Sequence, residues 1–263
     1  SRLRIPVPPI EVQEEIVRVL DSFAELEAEL EAELEARRRQ YAYYRDRLLN
    51  FENADTHTSS SPIRWVTLGE IGEFRRGSAL QKKDFVSAGV PCLHYGQVHT
   101  TFGISATEAL TCVSSDFAVG KKLIHPGELF IATTSEDDDG VGDAVAWLGE
   151  TDAVAGTDAY IYSSPALDAK YVSYYFDSSS FERQKAGKIT GTKVRRISDK
   201  SLGRIKIPIP TLDEQQRIVS ILDKFDALVN DISQGIPAEI EARRKQYAYY
   251  RDKLLAFPEK KTA

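Results

Sequence analysis

EARRRQYAYYRDRLLNF, residues 35–51, returns as EARRKQYAYYRDKLLAF, residues 241–257, with fourteen of seventeen positions identical. The likeness extends upstream. Gln13, Ile16, Val17, Leu20, Asp21, Phe23 and Leu26 recur as Gln215, Ile218, Val219, Leu222, Asp223, Phe225 and Leu228, and Ile5-Pro6-Val7-Pro8 recurs as Ile207-Pro208-Ile209-Pro210. The offset is 202 in the upstream part and 206 in the tail, so the second copy carries four extra residues. That is about one helical turn, which shifts the apolar face without destroying it.

Each copy has the spacing of a heptad helix. Leu20, Phe23, Leu30, Leu34, Tyr41, Tyr44 and Leu48 mark the stripe in the first copy, with Arg37 at a seam position; Leu222, Phe225, Tyr247, Tyr250 and Leu254 mark it in the second. Steps of three and four dominate, as in a helix-pair seam. The first copy is expected to run straight for roughly 36 residues, on the order of 50 Å. The second is expected to open on a capping box, Thr211-Leu212-Asp213-Glu214. It should then break at Gly235-Ile236-Pro237 and restart with proline in the first turn. Two such helices in one chain can pack antiparallel as a coiled coil. A plain dimerisation coiled coil fits the same pattern.

Between the copies the composition changes. NADTHTSSS, 53–61, is polar and aperiodic and reads as a linker. Beyond it, β-type runs stand at 90–95, 129–134, 144–148, 159–162 and 204–209, and a helix is expected from an Asp168 cap through Tyr171, Val172, Tyr175 and Phe176. The expected fold is therefore α+β: one α/β domain at 62–212, flanked by helical segments at 1–52 and 213–263.

Composition excludes several classes. Two cysteines, Cys92 and Cys112, are too few for a disulfide framework and lack metal-ligand spacing, and the four histidines are scattered, so no metal site is expected. No apolar run approaches the ~20 residues of a membrane span, and no signal peptide pattern is present. A cytoplasmic protein is expected. The chain starts at Ser1 rather than Met, inside what reads as the end of a domain, so a trimmed or processed chain is expected. Net charge is −6, unevenly spread. Residues 11–52 hold twelve acids against six bases, whereas 183–206 hold nine bases and one acid, Asp199. A local basic stretch in an acidic chain is the informative pattern for nucleic acid.

Segments 65–69 (WVTLG), 92–99 (CLHYGQVH), 131–136 (IATTSE), 144–149 (AVAWLG), 158–162 (DAYIY), 170–176 (KYVSYYF) and 189–197 (ITGTKVRRI) resemble the target recognition domain of type I restriction-modification specificity subunits. IPIPTLDEQQRIVSILDKFDALVNDI, with the EARRKQYAYYRDKLL tail, resembles that family's spacer region. The family normally alternates two recognition domains with two spacers. This chain reads as spacer, domain, spacer, a half or C-terminal portion. The resemblance implies a non-catalytic subunit that recognises double-stranded DNA, reads one half-site per chain, and scaffolds the adenine methyltransferase subunit and, through it, the restriction subunit. A homodimer could supply the second half-site. The competing reading is a structural coiled-coil dimerisation protein with an unrelated α/β module. No Asn-Pro-Pro-aromatic motif, cofactor-binding glycine turn or phosphate loop is present, and no cofactor is expected.

The candidate DNA-contacting residues fall in four groups. Lys188, Thr190, Thr192, Lys193, Arg195 and Arg196 lie in KITGTKVRR, where cations suit phosphates and arginine also suits guanine edges; a solvated loop is the bland alternative. Arg75, Arg76, Lys82 and Lys83 form a second basic group. Tyr95, Gln97 and His99 follow a strand at alternating positions and could share a face or line one loop. Thr133, Thr134 and Ser135 end another strand. The acidic run Glu136–Asp139 lacks further ligands and reads as a solvated loop that faces away from DNA or moves freely.

Overall fold

The computed structural model describes residues 5–51, 63–231 and 233–257; the linker expected at 53–61 and the chain's first residue lie outside the described residues. The chain forms two compact units. One contains residues up to Tyr43 together with those from Asp223 onward, and the other is Tyr44–Leu222. Both divisions fall within helices.

In the helical unit, α1 (Ile10–Asn50) is unbroken over 41 residues. It contains no Gly or Pro and is rich in Glu, Ala, Leu and Arg, all good helix formers. The second copy breaks where expected, into α8 (Leu212–Asn230) and α9 (Ile236–Leu255), with Gly235 at the N-cap and proline in the first turn. Gly235 is needed because a Cβ there would lie 2.5 Å from the Ala227 carbonyl oxygen and 2.7 Å from that of Leu228. At the head of α8, Thr211 Oγ1 accepts from Glu214 N at 3.3 Å, the first half of the expected capping box. The Glu214 carboxylate is gripped by Arg217 Nη2 at 2.7 Å.

The α1 and α9 segments pair antiparallel. Phe23 stacks on Tyr250 with ring centroids 5.4 Å apart. Arg244 reaches Glu27 at 2.7 Å and Glu31 at 2.6 Å. Leu34 lines a cleft with Pro237 and Ile240. As numbers rise along α1 they fall along α9. Leu34 and Tyr41 are buried, while Leu20, Phe23, Leu30, Phe225, Tyr247 and Leu254 are half-buried. The seam is shorter than the heptads suggest: Tyr44, Leu48 and Leu222 belong to the central unit instead. A heptad stripe reports that a face is covered, not what covers it.

The central unit is built on two five-stranded sheets. The first has the order β2 (Glu73–Arg76), β12 (Ala159–Ser163), β8 (Leu129–Ala132), β10 (Ala144–Trp147), β5 (Ser105–Ala106), antiparallel except at the β10–β5 edge. The second has the order β3 (Phe85–Val86), β6 (Thr111–Val113), β4 (Val90–Leu93), β11 (Ala153–Ala155), β7 (Leu123–Ile124), with β4 and β11 parallel. Two antiparallel ribbons complete it: β1 (Arg64–Thr67) with β14 (Lys206–Ile209), and β9 (Thr134–Ser135) with β13 (Arg195–Arg196). The main core gathers Phe130, Val145, Trp147 and Ile161 around β8 and its neighbours.

Short helices fill the connections: α2 (Leu68–Ile71), α3 (Tyr95–Thr100), α4 (Ser115–Ala118), α5 (Ala169–Phe176), α6 (Ser179–Lys185) and α7 (Asp199–Leu202). The five expected runs coincide with β4, β8, β10, β12 and β14. Asp168 caps α5 as expected, its Oδ1 accepting from Tyr171 N at 3.0 Å. Helix α5 is apolar on nearly all sides because it is buried on nearly all sides. Its tyrosines still satisfy their hydroxyls on β14: Tyr171 donates to Pro208 O at 3.1 Å and Tyr175 to Lys206 O at 2.6 Å. Among the described residues no helix is long and apolar enough to cross a membrane.

Candidate nucleic-acid interface

The fully buried strand β8 runs straight into Thr133 and β9, so the core fixes the backbone at the site. Thr133 N donates to Asp158 O at 2.9 Å, and Thr133 O accepts from Ile197 N at 3.1 Å. The register sets Thr134 opposite Arg196 and Ser135 opposite Arg195. Two groups nominated separately, 133–135 and 190–196, are thus one structure. The chain enters β13 through a tight hairpin, with Thr190 N donating to Arg196 O at 2.9 Å and Arg196 N to Thr190 O at 2.8 Å. Gly191 turns it at φ +96°, and a Cβ there would sit 2.1 Å from Val194 O, so only glycine fits. Thr190, Thr192, Lys193 and Arg196 are exposed on this hairpin. Thr133 and Thr134 are buried, and their hydroxyls do not face solvent broadly. Lys188 lies at the hairpin's foot, its Nζ donating to Gln184 O.

His99 ties the ribbon to α3. Its Nδ1 is 2.8 Å from Asp143 Oδ2 and its Nε2 is 3.1 Å from Thr134 O. The hydrogen bond to Asp143 pushes the imidazole's pKa above its ordinary value, against the opposing effect of burial. His94 moves the other way, lowered by burial and then by the nearby Lys82 charge. Asp158 acts on His94 as well, and Arg76 Nε reaches Thr157 O at 3.5 Å. Arg76 therefore reaches the 157–158 turn that also holds Thr133.

A sequence profile described as the type I restriction modification DNA specificity domain matches residues 62–242. The chain belongs to this type I specificity family. A type I restriction enzyme specificity subunit of Escherichia coli is 36% identical over 100% of this chain and 65% of its own length. A putative one from Haemophilus influenzae is 32% identical over 98% of this chain and 64% of its own. The chain thus spans about two thirds of these curated relatives. A putative specificity subunit of Mycoplasma pneumoniae is 28% identical, covering 99% of this chain and 98% of that protein. Among solved structures, the HsdS subunit of Thermoanaerobacter tengcongensis superposes with a TM-score of 0.61 at 20% identity, over 95% of this chain and 60% of that one. A chain from a structure of type I system assembly and conformational transition gives 0.65 at 20% identity, with the same coverage.

Within this family fold, several nominated residues have structural partners. Tyr95, Gln97 and His99 lie on α3, not on a strand, so residues two apart do not share a face. Gln97 caps that helix: Oε1 accepts from His94 N at 3.0 Å and Nε2 donates to Thr111 Oγ1 at 3.0 Å. Tyr95 packs against the core, with its ring 4.6 Å from that of His94. Arg75 grips Glu128 with Nη2 at 2.5 and 2.6 Å and donates from Nη1 to Leu123 O, so its guanidinium braces the two sheets. Lys82 and Lys83 are exposed on a single 3-10 turn. The acidic loop is tied to the basic hairpin rather than hanging free. Asp138 Oδ1 lies 2.9 Å from Arg195 Nε, and Asp137 Oδ1 accepts from Gly140 N at 2.9 Å. The pKa of Asp137 is held below the usual carboxylate range by that amide and by Ser135. Sequence reasoning missed Asp138, His94 and the buried Lys185. Their roles come from neighbours distant in the chain.

Proposed function

We propose that this chain is the DNA-reading and scaffolding part of a type I system, with residues 62–212 as its target recognition domain and 1–52 and 213–263 as its spacers. The observation that carries this is the glycine-turned hairpin at 190–196, which presents Thr192, Lys193 and Arg196 to solvent from a ribbon fixed by the core, inside a chain whose family is defined by DNA specificity. Lys193 supplies charge to a phosphate and Arg196 can grip a phosphate or a guanine edge. Arg76, beside the 157–158 turn that holds Thr133, and the exposed Lys82 and Lys83 would add charge to the DNA-binding face. The chain carries out no chemistry itself in this reading. The antiparallel helices bind the methyltransferase subunit, which brings the restriction subunit, and a second copy supplies the second half-site. The DNA target is double-stranded, and each chain reads one half-site.

The test is duplex binding by Lys193→Ala/Arg196→Ala across a salt series. Two lost phosphate contacts should flatten the dependence of log K on log salt by roughly 1.8, at ~0.9 per phosphate. A variant that binds with the wild-type affinity and slope would remove the hairpin from the interface.

A further inference from the structure

We propose that Asp138 is an intramolecular counter-ion for Arg195 that DNA must displace, and that it suppresses binding to non-target duplex. The inference rests on the hairpin being the DNA face. The pair stands at 2.9 Å with both side chains partly exposed, 35% for Arg195 and 55% for Asp138. Solvent keeps such a pair weak enough to be exchanged for another anion.

The carboxylate is delivered there by a built loop. Strand β9 leads directly into Glu136, and β9 is the strand that holds Arg195 in register through Ser135. The loop's far side is anchored by Lys185, which is 2% exposed: its Nζ donates to Asp139 O at 2.9 Å and meets Glu182 at 2.7 Å. Gly142 turns the loop back at φ +90°, where a Cβ would meet Phe181 at 3.1 Å. The backbone before Asp138 is held by β9 and the backbone after it by Lys185. The pair opens most simply by the two side chains parting, so an arriving phosphate or base edge competes for the guanidinium directly.

The electrostatic consequence is specific. Glu136, Asp137, Asp138 and Asp139 are all exposed and abut a hairpin whose bases are Lys188, Lys193, Arg195 and Arg196. Four acids beside four bases cancel much of the indiscriminate pull on DNA. A reader gains by this, because competing non-specific sites vastly outnumber targets. When Arg195 turns to a phosphate, the freed carboxylate beside the DNA takes up a cation, so net ion release at this residue is near zero. Without the carboxylate, the contact releases a counter-ion like any other.

The experiment is a salt series with the full chain and a random-sequence duplex. Asp138→Asn should bind roughly five- to ten-fold more tightly at about 50 mM salt, with a slope steeper by ~0.9. In an Arg195→Gln background the same change should have a much smaller effect on both quantities. Glu150→Gln, an exposed acid past the other end of β10, controls for net charge and should reproduce neither effect. If Arg195→Gln weakens binding but Asp138→Asn leaves affinity and slope at wild type, the counter-ion role is overturned and the DNA face stands. If no variant of the hairpin changes binding, or the chain binds no duplex at any salt, both are overturned.

Discussion

His99 holds α3, β9 and Asp143 together through two ring nitrogens, and both bonds are donated when the ring is protonated. Its folded pKa is raised, chiefly by the bond to Asp143. A raised value means that its stabilisation is fully present below the unfolded pKa of ~6.5 and is lost as pH rises through the folded value. Thermal stability should therefore fall between about pH 6.5 and the alkaline side of the raised value, and His99→Gln should lose that part of the pH dependence. A wild-type pH profile in the variant, measured by calorimetry, would show that the imidazole does not hold the ribbon. At this scale the sequence was legible in kind but not in role. Residues 190–196 announced themselves by charge and glycine. Gln97 looked like a base reader because amide groups suit adenine, yet its amide is consumed by a helix cap and Thr111. Arg75 and Arg76 are chain neighbours that the sequence cannot separate. One braces Glu128 and the other reaches the 157–158 turn.

The duplicated helix ends, nearly identical in sequence, have different surroundings. In the first copy Arg45 pairs with Asp177 at 2.5 Å, and Asp46 Oδ1 accepts from Ser179 N at 3.2 Å, docking the end of α1 on the α5–α6 corner. In the second copy Arg251 pairs with its neighbour Asp252 at 2.7 Å. The leucines follow suit: Leu49 is 1% exposed and Leu255 is 50% exposed. Leu49→Ala should cost about 2–5 kcal/mol and Leu255→Ala under about 1 kcal/mol, read from urea midpoints. Equal losses would mean that both leucines sit in equivalent environments. The two long helical copies, α5 and five of the seven strands of four or more residues were visible beforehand because their patterning spans enough residues to register. Strands of two residues such as β9 and β13 carry no period at all, and they exist because partners far along the chain meet. The ribbon at the centre of the candidate interface is of that type.

For the whole molecule, both ends of the repeat leave apolar groups uncovered. Ile207 is fully buried in β14, whereas its counterpart Ile5 is 78% exposed, and Val7 is exposed beside it. Leu255 and Tyr249 are exposed at the opposite end of the repeat. For Ile5 and Leu255 the twin residues, Ile207 and Leu49, are buried, so these two positions are suited to being covered. A second copy of the chain carries both surfaces, and pairing would also bring two DNA-reading hairpins into one particle. Sedimentation should reveal a reversible dimer at micromolar to tens of micromolar concentrations, shifted to monomer by Tyr249→Asp/Leu255→Asp. Because both side chains are exposed in the isolated chain, the variant should keep its thermal midpoint within about 2 °C of wild type. A wild-type chain that stays monomeric throughout that range would mean that these ends are reserved for a different partner and that one chain reads a single half-site alone.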